Sequence, residues 1–188
     1  MFWGPENTDA PPVNVFLVGP MGSGKSAVGR QLALRLGLDF LDSDDEIEAR
    51  TGVDISYIFE REGEAGFRQR EAETIDELSR RDGVLVSTGG GAVLDLRTRE
   101  RLRTRGRVVY LRTSVDQQLA RTRRSNERPL LNNPDPRGTL ERLFAERAPL
   151  YAEVAEIVVD TDGRKVKTVV EQICRHLAPG HQGGEAER

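Results

Sequence analysis

Short apolar runs alternate with longer amphipathic stretches along the chain. Residues 14–18, 39–42, 84–87, 107–111 and 157–160 form four- or five-residue segments built around Val, Leu, Ile, Phe and Tyr, and they predict five strands. Most are apolar at consecutive positions rather than alternating ones, as expected of parallel strands covered on both faces. Between them, apolar residues recur three or four apart. Val28, Leu32 and Leu36 predict a helix closed by Gly37. Ile55, Ile58 and Phe59 predict a short helix within 52–63, while Phe67, Glu71, Ile75 and Leu78 share one face of a longer helix over 64–81. A polar helix is predicted over 95–105, and Ser114-x-x-Gln117 has the form of a capping box opening the next one. Leu140, Leu143, Phe144, Arg147 and Tyr151 mark another helix, and Val166, Val169, Val170, Ile173 and Leu177 the last. The alternation predicts an α/β fold in three layers, a five-stranded parallel sheet with helices on both faces.

No internal repeat or second-domain boundary is visible. A single domain is expected over 13–178, with residues 1–12 and 179–188 as disordered tails. One internal segment, 121–137, breaks the pattern. It carries Arg121, Arg123, Arg124 and Arg128 and then Pro129, Pro134 and Pro136, with too few spaced apolar residues to pack. A lid closing over an anion and a solvated linker fit it equally well.

Gly19-Pro20-Met21-Gly22-Ser23-Gly24-Lys25-Ser26 follows the first predicted strand and opens the first predicted helix. It fits G-x-x-x-x-G-K-[ST], the loop that wraps nucleotide phosphates. Glycines let backbone N–H groups converge on an anion, and the helix adds its unpaired N–H groups and positive dipole end. Gly22, Ser23, Gly24, Lys25, Ser26 and Ala27 are thus expected at the phosphates of a nucleotide. Lys25 supplies a mobile cation for the β- and γ-phosphates, and the Ser26 hydroxyl can hold Mg²⁺.

Composition narrows the partners. The formal net charge of the 188 residues is −3 and the pI about 5.6, which speaks against general nucleic-acid binding. The mean hydropathy is −0.53 and no run of 18 apolar residues occurs, so no membrane span is expected. Cys174 is the single cysteine, which excludes an intrachain disulfide and suits a reducing cytoplasm.

Two further stretches stand where strands hand over to helices, the edge at which open α/β sheets bind ligands. Asp42-Ser43-Asp44-Asp45-Glu46 follows the second strand; Asp45 and Glu46 suit helix capping as well as any chemistry. Thr88-Gly89-Gly90-Gly91 follows the third strand and permits very close backbone approach, or simply a flexible turn. Two arginines are oddly placed. Arg68 opens a helix and can pair with Glu71 three residues on, and Arg147 sits on an apolar stripe unless it snorkels to the edge. A short chain with these parts suits a small kinase that excludes water under a lid; a regulatory nucleotide-binding module is the alternative from another class.

Together, Gly19–Ser26, Asp42-Ser43-Asp44, Gly63-Glu64-x-Gly66-Phe67-Arg68, Thr88-Gly89-Gly90-Gly91, Arg128-Pro129-Leu130 and Arg147-x-Pro149-Leu150-Tyr151 resemble the shikimate kinase family, most closely its proteobacterial members, over roughly 14–177. The resemblance implies phosphorylation of the 3-hydroxyl of shikimate by MgATP, on the way to chorismate and the aromatic amino acids. It thereby implies that the nucleotide held by Gly22, Ser23, Gly24, Lys25, Ser26 and Ala27 is ATP. It implies that Arg68 and Arg147 grip the substrate carboxylate, that Gly89, Gly90 and Gly91 present backbone to the ring, and that Asp44 binds the ring hydroxyls and accepts the proton. Asp42 matches the acid that holds Mg²⁺ beside Ser26. Arg128 matches the lid arginine that meets the ATP phosphates, with Arg121 a further nucleotide contact. Substrate binding is expected over about 43–72 and the lid over about 121–137. A cytoplasmic monomer with shikimate and ATP as its small-molecule partners is expected, and another small-molecule P-loop kinase, such as one acting on gluconate, is the alternative.

Overall fold

The computed structural model describes residues 13–122, 131 and 133–178. Five strands form one sheet: β1 (Val15–Val18), β2 (Asp39–Asp42), β3 (Val84–Ser87), β4 (Arg107–Arg112) and β5 (Ile157–Asp160). They pair in parallel in the order β2-β3-β1-β4-β5. Among the described residues seven α-helices connect and cover them: α1 (Lys25–Leu36), α2 (Ser43–Thr51), α3 (Ile55–Leu78), α4 (Leu96–Arg105), α5 (Val115–Thr122), α6 (Pro136–Val154) and α7 (Val166–Leu177).

The apolar runs place the core on both faces of the sheet. On one, Leu17, Leu85, Val109 and Leu111 pack with Val28 and Leu32 of α1 and Val169 and Ile173 of α7. On the other, Phe16, Val86, Val108 and Tyr110 meet Ile75 and Leu78 of α3, Leu102 of α4 and Tyr151 of α6. Phe16, Leu17, Leu32, Ile75, Leu85 and Leu102 are 0% exposed, each worth about 1.5–3 kcal/mol of burial. Cys174 is half-buried at the edge of the first cluster, and burial raises its thiol pKa. A third, smaller cluster joins Ile47 of α2 to Ile58 and Phe67 of α3.

Two expectations are revised. The two helices expected over 52–63 and 64–81 form one element, α3, bent at Gly63 (φ 70°) and ending at Leu78. The capping box at Ser114 is half made: its hydroxyl accepts from the Gln117 N–H at 3.3 Å, but its own N–H donates to Asp162. The helices cover both faces of the sheet as expected, with Val158 of the edge strand β5 40% exposed. The expected lid is flanked by helices, since α5 runs to Thr122 and α6 opens at Pro136 behind the Asp135 cap. Arg123, Arg124, Arg128, Pro129 and Leu130 lie outside the described residues, as do the expected tails.

Candidate nucleotide and acceptor site

Strand order decides what meets. β1 and β3 are neighbours, with Leu17 opposite Ser87, and the Thr88 N–H and hydroxyl both donate to the Leu17 carbonyl. The glycine loop after β1 and the triple glycine after β3 therefore leave the sheet side by side, at its carboxyl edge.

In the first loop, Gly22 (φ 76°) and Gly24 (φ 89°) adopt left-handed backbone that other residues resist, and Gly24 caps α1. The first bond of α1 runs from the Val28 N–H to the Gly24 carbonyl, so the preceding amides face the loop. Lys25 Nζ donates to the Gly19 and Pro20 carbonyls at 2.8 and 2.9 Å. A flexible ammonium held on weak carbonyl partners is well placed to shift to a phosphate. Arg121 ties the loop to the far side of the sheet, donating to the Gly22 carbonyl at 2.9 Å and to the Thr161 carbonyl at 3.1 Å.

Ser26 and Asp42 come from different elements and touch: the Ser26 hydroxyl donates to Asp42 Oδ2 at 2.8 Å. The other carboxylate oxygen, Oδ1, accepts the Asp44 N–H and so caps α2. One acid thus fixes a helix and presents an oxygen beside the phosphate loop. Asp45 stays on the surface, near Arg30.

A cavity of about 250 Å³ brings together Gly22, Gly24, Lys25, Ser26 and Ala27 on the loop side with Asp42, Asp44, Gly89 and Gly90 opposite; Arg121 lines it as well. Ser23 is buried behind the loop. Arg68 and Gly91 instead line an adjoining cleft against α4, and Arg147 lines a third with Pro20, Met21 and Tyr151.

Electrostatics link the three. Burial, then the charges of Glu71 and Asp42, push the Asp44 carboxyl up to about 7, against the pull of Lys25 and Arg68. Burial likewise raises Glu71, which Arg68 and Arg147 hold down. Arg68 reaches Glu71 at 2.6 Å and Glu64 at 3.1 Å. Among the described residues, Asp44 Oδ1, Glu71 Oε1 and Arg147 Nε are buried without a hydrogen-bond partner. Arg147 is 5% exposed, so it does not snorkel; its nearest acid, Glu146, lies 3.9 Å away. Buried charge and unused polar atoms in neighbouring, electrostatically coupled groups fit a site completed by a polar ligand.

The glycines make room for these groups. A Cβ on Gly89 would overlap Glu71 Oε1, and one on Gly91 the Arg68 guanidinium. Gly89 also donates its N–H to the buried Ser43 hydroxyl at 3.0 Å. Reading the sequence alone did not single out Ser43 or the hydroxyl of Tyr151, which donates to the Gly90 carbonyl. Nothing in local pattern separates these from ordinary core positions.

A family model described as shikimate kinase matches residues 21–178. The shikimate kinase of Halorhodospira halophila is 58% identical over 166 residues, covering 88% of this chain and 94% of that one. A solved structure of shikimate kinase from Acinetobacter baumannii in complex with shikimate superposes with a TM-score of 0.86 at 47% identity, over 88% of this chain and 92% of that one. A gluconokinase from Sinorhizobium meliloti, 20% identical with a TM-score of 0.55 over 88% of this chain and 91% of that one, shares the fold.

Proposed function

The chain belongs to the shikimate kinase family, and from that membership we infer its reaction: transfer of the terminal phosphoryl group of ATP to shikimate. ADP and a shikimate phosphate are the products, a step of the shikimate pathway toward chorismate and the aromatic amino acids. We assign the 3-hydroxyl as the acceptor. The observation that carries the reading is a phosphate loop facing Asp44, Gly89 and Gly90 across one cavity, with the half-buried Arg68 against Gly91 and the buried Arg147 against Met21 of the loop in the clefts beside it.

We assign the residue roles from the family resemblance, with the geometry in support. Backbone N–H groups of 22–27 and Lys25 hold the ATP phosphates. Arg68 and Arg147 take the shikimate carboxylate in charge-assisted bonds, which would satisfy the Arg147 guanidinium left short of partners in the core. Gly89, Gly90 and Gly91 let the ring approach the backbone. Asp44, with an unpaired buried oxygen and a pKa near 7, accepts the hydroxyl proton as the phosphoryl group leaves ATP. Arg121 steadies the loop and borders the nucleotide. Arg128, outside the described residues, is assigned to the phosphates on the family resemblance.

Mg²⁺ suits the paired oxygens of Ser26 and Asp42, hard donors 2.8 Å apart beside the loop. Bound there, it would supply neutralising charge to the phosphates. Ser26 and Asp42 would hold it, and the Asp42 cap on α2 keeps that carboxylate from turning away. Among the described residues no helix is long and apolar enough to cross a membrane, and we propose a cytoplasmic monomer.

A coupled ADP-release assay with shikimate, and with gluconate as the comparison acceptor, tests the reading. ADP release is expected with shikimate alone; turnover with gluconate and none with shikimate would reassign the acceptor.

A further inference from the structure

Two buried phenols lie together under the sheet. Tyr110 of β4 and Tyr151 of α6 have ring centroids 5.0 Å apart, and they are 2% and 1% exposed. Their rings serve the same packing, but their hydroxyls do not serve alike. Among the described residues the Tyr110 hydroxyl has no partner, whereas Tyr151 donates to the Gly90 carbonyl, 61 residues away in sequence. A phenylalanine would fill the same core volume. The hydroxyl of Tyr151 therefore has a task beyond packing.

That task lies in the acceptor half of the site. Gly90 is held from two sides: a Cβ built on it would lie 3.4 Å from the Met21 nitrogen of the phosphate loop and 3.7 Å from the Tyr151 hydroxyl. The peptide joining Gly90 to Gly91 is planar, so fixing the Gly90 carbonyl fixes the Gly91 N–H on its opposite edge. Gly91 in turn packs directly on the Arg68 guanidinium. At the other end, Tyr151 follows Arg147 by four residues, and both are buried on one face of α6. The Arg147 charge acts on the same phenol, countering the burial that raises its pKa and keeps it a donor. One hydroxyl thus joins the helix bearing one carboxylate-binding arginine to the loop packed against the other.

We propose that Tyr151 is a positioning residue for the acceptor, its hydroxyl locking the Gly90–Gly91 peptide and setting Arg147 on α6 at a fixed distance from Arg68. The inference rests on the shikimate reading above. It makes the spacing of the two arginines, and hence the fit of a small carboxylate, depend on a group that need not touch the substrate.

Tyr151→Phe tests it, with Tyr110→Phe as the paired control, by steady-state kinetics, shikimate calorimetry without ATP, and thermal melting. The Tyr151 variant is expected to raise both KM and Kd for shikimate about 3- to 10-fold, the worth of one neutral hydrogen bond. Its KM for ATP should stay within about twofold and its melting temperature close to the unaltered protein's, while Tyr110→Phe leaves both KM values unchanged. An unchanged shikimate KM, an equal rise in both KM values, or loss of the folded signal in Tyr151→Phe would each overturn the proposal. If the unaltered protein releases no ADP with shikimate, the assigned reaction fails first and takes the proposal with it.

Discussion

Arg68 Nη1 lies 2.6 Å from Glu71 Oε2, one turn apart on α3, with the carboxylate side chain only 2% exposed. At the surface such a pair contributes little. Here it sits in the core with one carboxylate oxygen unused, so removing the acid leaves a guanidinium short of its counter-charge. Glu71→Ala should lower the unfolding free energy by about 2–3 kcal/mol, less than a fully buried pair because Arg68 keeps Glu64 and some solvent. Glu71→Gln, which keeps an acceptor, should cost less. A urea midpoint equal to that of the unaltered protein would contradict the pairing.

Gly91→Ala separates substrate fit from folding. The Gly91 backbone (φ −100°, ψ −3°) suits alanine, so no strain arises there. The new methyl would instead displace the Arg68 guanidinium, the far end of a flexible side chain. The melting temperature should fall by only a few degrees while KM for shikimate rises about tenfold or more. Kinetics showing an unchanged KM would place Arg68 away from the substrate.

Lys25→Met removes the one mobile cation of the loop without touching its glycines. The kcat should fall by about 10²–10³ or more, with the circular dichroism spectrum unchanged. Near-normal turnover would refute a phosphate role for Lys25.

Asp44 sets a pH dependence of definite sign. Its folded pKa is about 7 and its ordinary value 3.8, so between those limits the folded chain holds a proton that the unfolded chain has lost. This contribution is fully present below pH 3.8, falls as pH rises through the window at up to about 1.4 kcal/mol per pH unit, and is gone above 7. Denaturation across pH 4–8 should show a smaller slope in Asp44→Asn. As a base, Asp44 works only when ionised, so kcat/KM should rise with an acidic limb near pH 7, while Asp44→Asn loses turnover. A flat profile over that range would remove Asp44 from proton transfer.

Ser26→Ala deletes the hydroxyl that donates to Asp42. The Mg²⁺ concentration for half-maximal rate should increase several-fold while KM for shikimate holds. An unchanged Mg²⁺ titration would move the metal elsewhere.

Much of this site was legible along the chain. The phosphate loop, the acids after β2 and the triple glycine each lie within a few residues, and their spacing carries their chemistry. Arg68 and Arg147 were legible as anomalies, charges where the pattern asks for none. Less was legible about Glu71, which read as a pairing partner of Arg68 with nothing to show that the pair would close over a buried carboxylate. The Gly63 bend also escaped, because the apolar spacing on either side of it fits separate helices as well as a bent one.

The sequence by itself determined the elements and the donor half of the site, because strand runs, helix caps and a phosphate loop depend on bonds between near neighbours. Which elements meet was decided by the pairing of β1 with β3 and the packing of α6 over them. That arrangement placed Asp44 beside Glu71, buried Arg147, and brought the Tyr151 hydroxyl to Gly90. Burial and electrostatic coupling act through space rather than along the chain, so the raised pKa of Asp44 and the buried setting of Arg147 come from the fold.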